Sequence, residues 1–335
     1  MNRFLSILLF AVALVLAACQ DVTETVNPGG GKEDDPEAME TKIDYPTKDI
    51  QVFVGHGAGG GTDTFVRQIT KLMEKDLGVK FNVINMEGAG GVIAKEKAAN
   101  EPADGYTIVG GGALPIQVAV GTNKNAHLNV FKAIARVQSD TAALQVKAGT
   151  YPSIEAFIEE AKANPGQLRI GGTGVGIIDD IIVRMFKRAT GIDVIYVPFE
   201  GAGDMHAALL GGHIEAMIEE PGPTLSQIEA GEIEPILFFA EERIDEFPDV
   251  PTSVEKGWEI TYGVERGFYI RKDTPQEIVD TLEAAVKRAY DSDEYKEYER
   301  NAFLHLREGW LSSEEYTEKM KRDIEVFSEI IASTE

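Results

Sequence analysis

The 335-residue chain is poor in three things, and each shortage narrows what it can be. It has a single cysteine, Cys19, so neither an internal disulfide nor a multi-cysteine metal site is available to it. Basic residues are outnumbered, 32 Lys and Arg against 56 Asp and Glu, for a formal net charge of -24. That balance argues against nucleic acid or an anionic membrane surface as partner. Long apolar runs are missing beyond the first 18 residues. Catalytic signatures are also scarce. There is no G-x-S-x-G elbow, and Gly55 to Thr62 lacks the lysine that a phosphate-binding P-loop places before its Ser or Thr. The histidines at 56, 127, 206, 213 and 305 show no close metal-ligand spacing, so neither a metal nor another cofactor is expected. Trp258 and Trp310 are assigned to packing.

What is present begins at the N-terminus. Arg3 supplies a positive charge, Phe4 to Leu16 are almost all apolar, and "LAAC" ends at Cys19. The pattern predicts a secretory signal over residues 1–18, too short for a membrane span, which takes about 20 apolar residues. "LAAC" resembles a bacterial lipobox, which implies lipidation at Cys19 and attachment to a membrane surface. Residues 19–44, "CQDVTETVNPGGGKEDDPEAMETKID", carry no aromatic residue and much Gly, Pro and acid. They read as a flexible acidic tether spanning about 25–30 Å on average.

From about Tyr45 onward, short Val/Ile-rich runs alternate with amphipathic segments, the pattern of α/β lobes with mainly parallel sheets. "TDTFVRQITKLMEKDLG" puts Phe65, Val66, Ile69, Leu72, Met73 and Leu77 on one helical stripe, with Thr62 as N-cap and Gly78 as stop. A second copy of this strand, glycine turn and helix occurs at residues 168–191, "LRIGGTGVGIIDDIIVRMFKRATG", closed by Gly191. Thr274 with Glu277 and Ser312 with Glu315 have capping-box spacing.

A glycine turn opening a helix leaves backbone N–H groups unpaired at a partially positive end, and so can hold an anion. The same glycines also serve simply as tight turns in many α/β folds. Two such turns about 110 residues apart point to two lobes facing one cleft. Charge-assisted bonds of roughly 1.5–3 kcal/mol each would let four or five of them support micromolar binding. One competing reading is a dinucleotide-binding oxidoreductase, because Gly55, Gly57 and Gly60 satisfy G-x-G-x-x-G and Glu87 closes a second strand-like run.

Five ordered blocks, "VGHGAGGGTDTFVR", "NMEGAGG", "ADGYTIVGGG", "YVPFEGAGDMHAALLGG" and "FPDVPTSVEKG", resemble the solute-binding proteins of tripartite tricarboxylate transporters, the Bug family. The resemblance implies a type II periplasmic-binding-protein fold of two lobes, residues 45–139 plus 240–335 and residues 140–239, with crossings near 139 and 239. It implies a non-enzymatic, extracytoplasmic protein, at the outer face of the cell membrane or in a periplasm. Such a protein takes a small carboxylate between its lobes with backbone amides, hydroxyls and water, and hands it to membrane transport subunits as a monomer. Signalling to a membrane kinase is a further alternative role. Residue by residue, the resemblance nominates Gly59, Gly60, Thr62 and Asp63, then Gly111 and Ala113, then Thr173, Gly174 and Gly176, with Phe199 and Gly201 beside them. His56, Gly57, Ala58 and Val175 lie within the same turns.

The chain departs from its relatives in charge. Gly57-Ala58 stands where they commonly carry proline, Ile177, Ile178 and Asp180 where they carry Ser or Thr and then His, and Glu200 where they carry Lys. Asp179 and Asp180 suit the first turn of a helix on dipole grounds. Alternatively one of them, or Glu219 and Glu220, receives a cationic part of the ligand, which would favour an amino-acid-like solute over a plain tricarboxylate.

Overall fold

The computed structural model describes residues 43–121, 127–199 and 201–333. Cys19, nearly all of the predicted tether and Glu200 lie outside the described residues.

Among the described residues, ten strands form two five-stranded sheets, and ten α-helices accompany them. The first is built from β1 (Ile50–Val54), β2 (Phe81–Asn85), β3 (Thr107–Gly111), β4 (Phe131–Ser139) and β10 (Glu265–Arg271), in the order β2-β1-β3-β10-β4. The second is built from β5 (Ala143–Lys147), β6 (Arg169–Thr173), β7 (Ile195–Phe199), β8 (Ala216–Glu219) and β9 (Ile233–Phe238), in the order β7-β6-β8-β5-β9. In each sheet the strand that arrives from the other half, β10 or β5, pairs antiparallel with both neighbours, while the remaining pairings are parallel. This order also rules out the all-parallel dinucleotide-binding sheet that the G-x-G-x-x-G spacing allowed.

The helices are α1 (Gly61–Leu77), α2 (Val92–Ala99), α3 (Leu114–Val120), α4 (Ile154–Ala163), α5 (Ile178–Thr190), α6 (Ala202–Leu210), α7 (Pro221–Glu229), α8 (Gln276–Tyr290), α9 (Asp293–Asn301) and α10 (Ser313–Ala332). The apolar stripe of α1 closes over the first sheet with Ile50, Val52 and Phe268, and that of α5 over the second with Leu144, Ile170 and Ile218. Gly78 and Gly191 end these helices at φ 70° and 72°, the left-handed conformation that a side chain would strain.

Helix starts depart from expectation. The N-cap of α1 is Gly60, not Thr62, and no side chain caps it; Thr62 sits inside the first turn. The predicted box at Thr274 does not form: Pro275 takes the N-cap position of α8 and the Thr274 hydroxyl is buried without a partner. At α10 the predicted box is present in both directions between Ser312 and Glu315.

α10 ties the two halves together. Tyr316 and Met320 pack in the core under β3, β4 and β10, while Phe327 and Ile330, two and three turns further along the same stripe, pack with Ile178, Ile182 and Ile218 of the second half. The backbone crossings touch as well. Asp140, between β4 and β5, donates its N–H to the Val264 carbonyl at 2.8 Å. A Cβ on Gly263 would lie 1.9 Å from the Asp140 carbonyl oxygen, so only glycine lets the two chain segments run this close.

Candidate ligand-binding cleft

The two glycine turns are built alike. In the first, the Gly59 N–H donates to Asp63 Oδ2 at 2.8 Å, and Arg67 Nε holds the same carboxylate at 2.9 Å from one turn along α1. In the second, the Gly176 N–H donates to Asp180 Oδ2 at 3.0 Å, and Arg184 Nε holds it at 2.8 Å from one turn along α5. Each acid therefore clamps the loop to its own helix. Asn85 adds a bond to Asp63 at 2.9 Å, and although burial works against it, the Arg67, Gly59 and Asn85 donors together draw the Asp63 carboxyl down to about 2. With the loop held by an acid in the first turn, the N-caps of both helices, Gly60 and Ile177, contribute no side-chain acceptor. Among the described residues no side chain caps the leading N–H groups of α1 and α5, which are left open.

Both open ends face one cavity of about 420 Å³. His56, Gly60, Gly61, Thr62 and Ala113 line it from the first half; Thr173, Asp179, Gly201, Glu219 and Glu220 line it from the second. Val264 to Arg266 and the α10 residues Lys319, Asp323 and Phe327 close its back. Ala113, the N-cap of α3, takes φ 64° beside this cavity, where a non-glycine residue is strained by about 1–3 kcal/mol. A larger and more open depression of about 1070 Å³ lies against Arg136 and Arg307. Their guanidinium groups are already spent on the carbonyls of Gly309, Thr261 and Phe239.

Of the residues nominated from sequence, His56, Gly60, Thr62, Ala113, Thr173, Asp179 and Gly201 meet at the cavity. The others stand behind it. Asp63 and Asp180 are the clamps. Gly57 accepts from the Gly60 N–H and lies against the Glu87 carboxylate, and Gly59 is the clamped amide. Gly174 donates to the Phe199 carbonyl at 2.9 Å. Gly111 ends β3, Gly176 is the second clamped amide, and Ala58 and Val175 are exposed at the turns. The sequence patterns passed over Gly61, Lys319, Asp323 and Arg266; for Arg266 the cue was slight, a charged residue just before Gly267 at the head of an apolar strand.

Charge divides the cavity. On the second half, Asp179 accepts from the Thr173 N–H at 2.7 Å and from its hydroxyl at 2.8 Å through Oδ2; Oδ1 has no partner among the described residues. Burial, and then Glu220, push the Asp179 carboxyl up to about 7. Burial, and then Glu219, push Glu220 up to about 8. Burial raises Glu219 too, and its Oε2 meets His206 Nε2 at 3.0 Å. On the first half stand Arg266 and His56; burial, Lys95 and Arg266 together lower the His56 imidazole from its ordinary value. Lys95 on α2 is 5% exposed, has no hydrogen-bond or ion-pair partner among the described residues, and is drawn down to about 8 by burial. No group of His, Cys, Asp and Glu among the described residues has the arrangement of a metal site.

Two sheets of this order joined by paired crossings, with glycine-turn helices pointing into one cavity, define a two-lobed solute-binding fold. Residues 65–325 match the tripartite tricarboxylate transporter family receptor, and the chain belongs to that family. It is similar to protein BugT of Bordetella pertussis, 30% identical over 220 residues that cover 64% of this chain and 67% of the relative. Among solved structures it is similar to a TctC solute-binding protein from Polaromonas without ligand (TM-score 0.73, 29% identity, 86% and 99% of the two chains). It is also similar to MatC from Rhodopseudomonas palustris with bound malate (TM-score 0.73, 26% identity, 86% and 100% of the two chains). The family consists of extracytoplasmic receptors for small organic acids, not enzymes.

Proposed function

We propose that this chain captures one small organic acid carrying both a carboxylate and a positively charged group, and delivers it to the membrane subunits of a tripartite tricarboxylate transporter. The lobes are residues 45–139 plus 240–335 and residues 140–239, and the protein acts as a monomer tethered through residues 19–44 by a lipid on Cys19. The observation that carries this reading is the polarity of the cavity. The α1 end offers open N–H groups and a guanidinium; the α5 end offers Asp179, Glu219 and Glu220. A carboxylate is favoured at the first end and an ammonium at the second. Ligand contacts from both lobes stabilise the closed arrangement over the open one, which is how occupancy becomes visible to a membrane partner.

Titration calorimetry with malate, adipate, citrate, L-aspartate and L-glutamate tests it. The expected outcome is tightest binding by an amino acid; tight citrate binding with no amino-acid binding would overturn the mixed-charge ligand. Mass spectrometry of the membrane-extracted protein, expected to show a diacylglyceryl mass on Cys19 that a Cys19→Ser chain lacks, tests the anchor.

A further inference from the structure

Arg266 has more to give than its visible partners take. Its Nη1 pairs with Asp140 and reaches Gln138 Oε1 at 3.4 Å. Nε is buried with no partner, and Nη2 donates to nothing among the described residues. Three of the five guanidinium N–H groups are therefore unspent on a side chain only 15% exposed. A purely structural arginine at this burial would normally satisfy them.

The backbone aims this residue. The register between β10 and β4 shifts immediately after Arg266, and such a bulge redirects the side chain beside it. A Cβ on the following Gly267 would lie 2.3 Å from the Ala135 carbonyl oxygen, so the irregular stretch requires glycine there. The guanidinium ends at the mouth of α1: Nη2 lies 3.0 Å from where a Cβ on Gly61 would stand. An anion at this point meets the arginine fork and the open N–H groups of α1 together. Glu219 and Glu220 line the same cavity from the second half.

We propose that Arg266 is the carboxylate-recognition residue of this cleft, with Asp140 as its positioning residue, held in the opposite crossover so that an anion bound to Arg266 bears directly on the hinge. The inference deepens the solute-binding reading above and depends on it.

The probes are malate, adipate and L-glutamate, each with its primary monoamides, titrated by calorimetry against wild type, Arg266→Gln, Arg266→Lys and Gly61→Ala. In Arg266→Gln, affinity for the acid falls by about 100-fold and the preference for acid over amide largely disappears, because two charge-assisted bonds are lost. Arg266→Lys keeps the charge without the fork and recovers part of the loss. Gly61→Ala, which leaves the Asp140 pair intact and suits a helical position, crowds Nη2 and weakens the acid more than the amide; it decides the matter should the Arg266 variants fail to fold. Equal losses for acid and amide in Arg266→Gln, or acid affinity within about 3-fold of wild type in Arg266→Gln and Gly61→Ala, would overturn the assignment while leaving the solute reading standing. Wild type binding none of the three probes would overturn the solute reading and this assignment with it.

Discussion

The two glycine turns share a skeleton and differ in charge. Each uses an aspartate in the first helical turn, gripped by an arginine four residues on, to pull a glycine N–H down and leave the helix start open. Around that common device the first turn gathers Arg266 and His56, whereas the second gathers Asp179, Glu219 and Glu220. The repeat supplies a place for a ligand, and the unlike surroundings decide which way round it sits.

The comparison breaks most severely where the two halves are joined. Gly263→Ala would drive a methyl into the Asp140 carbonyl oxygen. We expect a loss of about 3 kcal/mol or more in denaturant unfolding, together with loss of ligand binding. Removing either clamp comes next. Asp63→Ala and Asp180→Ala should each cost on the order of 2–3 kcal/mol, with Asp63 the costlier because Asn85 also depends on it. Equal and negligible losses would mean that the shared skeleton is incidental.

A subtler test separates the electrostatics. Asp179 and Glu220 hold protons in the folded protein at pH values where the unfolded chain has released them. Their stabilising effect is therefore full below the ordinary values of 3.8 and 4.5, and is lost as pH rises through about 7 and about 8. Thr173, Asp180 and Glu219, together with Arg266 acting on Glu220, are the polar neighbours that set this balance. Thermal unfolding of the ligand-free protein should show a midpoint that falls between pH 5.5 and 8.5. In Asp179→Asn that fall should shrink by an amount worth on the order of 1–3 kcal/mol. A parallel decline in both proteins would count against the protonated acid. The smallest effect is expected at Gly201→Ala, where the added methyl meets nothing within 4 Å; stability should stay within about 0.5 kcal/mol.

Much of the fold could be read directly from the chain. The stripes of α1 and α5, their terminal glycines and the capping box at Ser312 are local patterns, set by residues a few positions apart. Thr62 misled because it has the right side chain at nearly the right place. The first turn is instead held by Asp63 reaching back to Gly59, a bond that suits the glycine loop better than a threonine cap. Thr274 misled for a similar reason: the proline after it takes the cap position and leaves its hydroxyl unpaired. The candidate site was half legible. Turn residues such as Gly60, Thr62, Thr173 and Asp179 stand in motifs, whereas Arg266, Lys319 and Asp323 arrive from strands and helices far along the chain with no local signature.

Sequence alone determined which segments become strands and helices, where glycine must end them, and that two like turns exist, because these follow from periodicity and backbone sterics over short distances. Only the tertiary structure decided that those turns face the same cavity, that Asp63 and Asp180 are clamps while Asp179 looks inward, and that Arg266 stands beside Asp140. Those facts depend on where β10 and α10 return through the molecule, and on burial that no single segment carries by itself.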